Sequence, residues 1–105
     1  MEMVTVYLAL LRRGPRAVEW DDRPHDLEQL QDAHLENISR MHASGKLLIA
    51  GPCTDDGDLR GVYVFKTESL AEAEALVQSD PSVQAGRLRF EFHPWMIPAG
   101  VLAGT

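Results

Sequence analysis

Residues 3–11, Met-Val-Thr-Val-Tyr-Leu-Ala-Leu-Leu, constrain the fold more than any other stretch. Successive side chains of a strand alternate between faces. Val4, Val6, Leu8 and Leu10 therefore share one side, and Met3, Tyr7, Ala9 and Leu11 the other. A strand that is apolar on both sides belongs in the middle of a sheet with both faces covered. The run is too short to span a bilayer and has neither the basic start nor the small-residue cleavage site of a signal peptide. At 105 residues the chain is expected to form one domain, residues 1–97, followed by a weakly patterned, loosely held tail over 98–105.

Residues 12–25 read as a polar loop with two prolines. The next segment, Asp26 to Gly45, has the helical recurrence Leu27, Leu30, Ile38 and Met41, with Asp26 as the predicted N-cap and Gly45 as the stop. Residues 46–52 and 61–67 form two further strands joined by the turn-rich Cys-Thr-Asp-Asp-Gly-Asp-Leu-Arg. Ser69-Leu-Ala-Glu72 has the form of a capping box and opens a second helix that runs to about Ser79. In residues 87–93 strict alternation turns Leu88, Phe90 and Phe92 inward and Arg87, Arg89 and Glu91 outward. The order β-α-β-β-α-β predicts an α+β, ferredoxin-like fold, with two helices on one face of a four-stranded antiparallel sheet. The other face is then apolar and uncovered, which predicts a homodimer closed over it, a dimeric α/β barrel-like assembly.

A formal charge of −6, with Arg12-Arg13 the only adjacent basic pair, excludes nucleic acid and an anionic membrane as expected partners. The lone Cys53 cannot form an internal disulfide, and a cytoplasmic location is expected. There is no two-His helical spacing, Cys pair, glycine-rich phosphate loop or dinucleotide fingerprint, so neither metal nor cofactor is predicted.

At about 100° per residue, the stripe Leu27, Leu30, Ile38 and Met41 is roughly 80° wide, and His34 falls in its middle. Leu70, Ala73 and Val77 mark the inner face of the second helix, which Asp80 extends. In the expected topology these helices run antiparallel, which brings His34 and Asp80 to the same end of the layer. A carboxylate on one imidazole nitrogen fixes the tautomer and leaves the other free to move a proton. A satisfied core histidine and an Asp-Pro helix start account for the same two residues without chemistry.

The stretches Ala33–Pro52, Asp56–Phe65 and Ser79–Trp95 together resemble the YciI-like (YCII-related) family, in element order and spacing over most of residues 3–97. The resemblance implies a dimeric ferredoxin-like fold with a His–Asp active-site pair, the histidine falling on His34 and the aspartate of its Asp-Pro motif on Asp80. Some relatives look like dehydrochlorinases acting on aromatic-ring compounds, and most have no assigned reaction. Many members carry an aromatic residue after the Asp-Pro, where this chain has Ser82, so the pocket there is expected to differ.

Gly51, Pro52, Cys53 and Ser82 are the candidate substrate-binding residues. Gly51 lets a ligand or helix approach closely, although strand termination explains Gly51-Pro52 equally well. Cys53 has no basic neighbour to activate its thiol. Trp20 and Trp95 could roof a pocket or simply seal apolar surface. The expected function is acid–base chemistry on a small-molecule substrate (elimination, hydrolysis or isomerisation) by His34 and Asp80. The alternative is a non-catalytic, dimeric ligand-binding or structural module.

Overall fold

Strand β1 (Met3–Arg13) pairs antiparallel with β3 (Leu59–Phe65) on one side and β4 (Leu88–Pro98) on the other. This is the central place that its two apolar faces demand. β2 (Leu47–Pro52) adds to the far edge of β3, giving the order β2-β3-β1-β4. The computed structural model describes residues 1–105 and contains four helices: α1 (Ala17–Asp21), α2 (Pro24–Ala43), α3 (Leu70–Gln78) and α4 (Pro81–Gln84). The fold is thus α+β, with an open, four-stranded antiparallel sheet.

The two faces of β1 enter two separate cores. Ala9 and Leu11 pack with Tyr63, Phe65 and Leu88 beneath Met41 of α2 and Ala73 and Val77 of α3. Phe90 and Phe92 join this layer from β4, as their alternation predicts. On the opposite face Val6, Val64 and Ile97 form a smaller cluster, with Leu8, Leu48 and Leu102 against it.

Four expectations change. α2 begins two residues before Asp26, because Pro24 takes the first helical position, where its fixed φ is favourable and its missing N–H costs nothing. Asp26 lies in the first turn and pairs with Arg23. Within the polar loop the five residues of α1 turn helical, too few to show a period. β4 continues to Pro98, five residues past the alternating run. Pro94 is tolerated there because β4 is an edge strand, paired only with β1.

The tail is also tied down. The Ala99 N–H donates to the Glu2 carbonyl at 2.9 Å, and the Thr105 hydroxyl donates to the Leu102 carbonyl at 2.6 Å. Together these hold Leu102 against the outer core. Trp95 nevertheless remains 48% exposed on that face.

Candidate active site

Asp80 is built by its neighbours. The residue before a proline is pushed to extended backbone, and Asp80 has φ −67° and ψ 122° between the end of α3 and Pro81, the first residue of α4. Its carboxylate caps α4 by accepting the Ser82 N–H on Oδ1 at 2.9 Å. The residue is completely buried, and a buried carboxylate must find donors. Tyr63, pointing inward from β3, donates its hydroxyl to Oδ2 at 2.6 Å. His34 of α2 lies across the carboxylate, with Nδ1 at 2.8 Å from each oxygen.

Asp80 is therefore both a helix cap and the partner of His34. A carboxylate can only accept, so Nδ1 carries a proton and Nε2 of the neutral ring carries the lone pair. The His34 side chain is 12% exposed. Its ring stacks near that of Tyr63, with centroids 6.4 Å apart and planes 23° from parallel. Burial, reinforced by the charge and hydrogen bond of Asp80, pushes the Tyr63 hydroxyl far above its ordinary range. That hydroxyl is a fixed donor. One helical turn beyond His34, the buried Asn37 donates to Ser79 Oγ at 3.4 Å and ties α2 to the end of α3.

His34 and Tyr63 help line a cavity of about 290 Å³. Sites for small molecules start near roughly 300 Å³, so this one suits a compact ligand. Leu11, Ile38 and Ala50 supply apolar wall, while Arg13, Arg60 and Arg87 bring cationic groups to it. No carboxylate is part of the lining, since Asp80 sits behind the imidazole.

The candidate binding residues separate. Gly51 and Pro52 line the cavity. Ser82 lies outside the lining and is fully buried, with its backbone engaged by Asp80 and its hydroxyl without a protein partner. Cys53 also lies outside the lining, and its carbonyl accepts from Arg60 at 3.3 Å. Trp20 anchors α1 by donating Nε1–H to the Ala85 carbonyl at 3.0 Å, and Trp95 is on the far face of the sheet.

Residues 5–95 match the family model of the YCII-related domain. The chain belongs to that family. Uncharacterized protein YjpA of Bacillus subtilis strain 168 is 31% identical to this YCII-related domain over 64 residues, which make up 61% of this chain and 73% of YjpA. A solved structure similar in fold is the 5-chloro-2-hydroxyhydroquinone dehydrochlorinase of Burkholderia phenoliruptrix AC1100, in complex with 2,5-dihydroxybenzoquinone. Its TM-score is 0.59 at 22% identity, over 86% of this chain and 92% of that one.

Sequence reasoning about this YCII-related domain missed Tyr63, Asn37 and the arginines. Tyr63 did carry a signal, because a phenol on an inward strand position needs a partner for its hydroxyl. Arg87 was expected to face outward by strand alternation, and this is corrected. β4 starts at Leu88, so Arg87 lies before the pleat and reaches back to Gln31 of α2. Gly14 helps to hold it there. The Gly14 N–H donates to the Arg87 carbonyl at 2.7 Å, and a Cβ on Gly14 would lie 2.3 Å from the Gly86 carbonyl oxygen.

Proposed function

We propose that this YCII-related domain is a small-molecule enzyme in which His34 moves a proton through Nε2 and Asp80 orients it through Nδ1. The observation that carries this reading is the 2.8 Å contact between His34 Nδ1 and a fully buried Asp80 at the wall of a ligand-sized cavity. Tyr63 and the Ser82 N–H hold the carboxylate, so the imidazole has one tautomer and one free nitrogen. No Ser or Cys is hydrogen-bonded to His34, which favours proton transfer over a covalent intermediate. The reaction class is elimination, hydrolysis or isomerisation of a small organic, aromatic-sized compound. The dehydrochlorinase of similar fold supports the choice of elimination as the first reaction to assay. The proposal includes a ferredoxin-like protomer, closed as a homodimer over the outer sheet face, working in the cytoplasm.

A structural reading also has specific support, because Asp80 caps α4 and joins it to β3 and α2. Variants separate the two. With 5-chloro-2-hydroxyhydroquinone as the first test compound and chloride release as the assay, His34→Gln should lose about 10²–10⁴-fold in turnover. Its fold should be retained. Asp80→Asn should lose activity on the same scale, because an amide N–H facing Nδ1 forces the proton onto Nε2; ¹⁵N chemical shifts of the ring report that exchange. A full rate in His34→Gln would refute the catalytic role. Failure of both variants to fold would favour the structural one.

A further inference from the structure

Arg87 stands out among the eight arginines of the chain. Six have a carboxylate partner: Arg12 with Glu91, Arg13 with Asp21, Arg16 with Glu19, Arg23 with Asp26, Arg40 with Glu36 and Arg89 with Asp58. Arg60 has no carboxylate, but it donates to the carbonyls of Asp55, Gly57 and Cys53 at 2.8, 2.7 and 3.3 Å. Arg87 has a single protein partner, the neutral Gln31 Oε1, at 2.9 Å from Nη1. It is also desolvated, and burial holds its guanidinium below the ordinary arginine range, yet an arginine stays protonated in any protein. Asp21 and Asp80 act on it from a distance, but no carboxylate pairs with it directly. A half-buried cation facing a cavity without a contact partner of opposite charge is costly unless something else supplies one.

The geometry points to Arg87 as the anchor for an anionic group of the ligand, and so to a small organic acid (a carboxylate or an acidic phenol or enol) as the substrate class. This rests on the reading of the His34 cavity as the active site. Gln31, which holds Arg87, precedes His34 by three residues on α2, so the two side chains leave the helix roughly 5–6 Å apart. A ring-sized acid with its anionic group on Arg87 would present its other end to Nε2 of His34. Arg60, which has no carboxylate partner, adds positive potential to the same wall, in a chain whose net charge is −6. The absence of acidic side chains from the lining leaves that potential for the ligand.

The test compares benzoate with benzamide, which has the same shape and no charge. Binding to wild type, Arg87→Met, Arg87→Lys and His34→Gln is followed by amide NMR shifts at constant ionic strength. Wild type should bind benzoate about tenfold or more tightly than benzamide, the range expected of a charge-assisted hydrogen bond. Arg87→Met should lose that preference while keeping its fold, since it gives up one hydrogen bond to a neutral side chain and no ion pair. Arg87→Lys should keep a reduced preference, and His34→Gln should keep it in full. Equal binding of the two compounds to wild type, no benzoate-dependent shift, or a preference that survives in Arg87→Met would each overturn the proposal. Retained preference in a His34→Gln protein with undiminished turnover would instead leave the anion site standing and remove the catalytic role of His34.

Discussion

Tyr63 is 2% exposed, donates to Asp80 and keeps its proton far more tightly in the folded protein than a free phenol does. The unfolded chain releases that proton near pH 10, whereas the folded one retains it. Above that pH the unfolded state therefore binds fewer protons, and stability falls as pH rises. The contribution of Tyr63 is full below about pH 10 and is lost progressively beyond it. The phenolate absorbance of Tyr63 should accordingly appear only with global unfolding. In Tyr63→Phe the alkaline unfolding curve should become shallower. An unchanged curve would show that the Tyr63 proton is not linked to folding. At this scale the sequence conveyed that His34 and Asp80 face inward, and misplaced Arg87. It did not convey the third member of the His34 cluster, because Tyr63 and Asp80 meet through packing of β3 under α4 and not through any local spacing.

The capping box at α3 is an element whose start was legible to the residue. Ser69 Oγ accepts the Glu72 N–H at 3.2 Å, while the Glu72 carboxylate accepts from the Glu68 N–H at 3.2 Å and pairs with Lys46. Replacing Ser69 by Ala should cost about 1 kcal/mol, seen as a melting temperature lower by roughly 4–8 °C. Turnover should be unchanged, since Ser69 lies at the opposite end of α3 from Asp80. A loss of activity without loss of stability would contradict this division of roles. α2 was equally legible in its body and less so at its start, where Pro24 overrides the capping preference of Asp26. α1 could not be read at all, since its five residues show no period and Trp20 and Gly14 hold it through contacts with residues 85–87.

The whole molecule has two unequal faces. α2 and α3 close one side of the sheet, while the other keeps Val6, Val64 and Ile97 under the tail and leaves Ile49 and Trp95 half exposed. The homodimer proposed to cover this face should sediment as a single species of twice 11.7 kDa. An Ile49→Lys, Trp95→Lys double variant should sediment as a monomer without losing its secondary structure, because both side chains are surface groups of the protomer. A monomer for the wild type at all concentrations would overturn the dimer. By itself the sequence determined the order of the four strands and the two longer helices, the two-sided burial of β1 and the presence of His34 and Asp80 on inward faces, because alternation, helical period and caps are local properties of the backbone. Only the tertiary structure decided that Tyr63 completes the cluster, that Arg87 turns in beside Gln31 and that Ser82 is sealed away from the cavity. Those outcomes depend on how α2 and α4 pack against the sheet, a geometry set by side chains far apart in the chain and encoded in no single stretch of it.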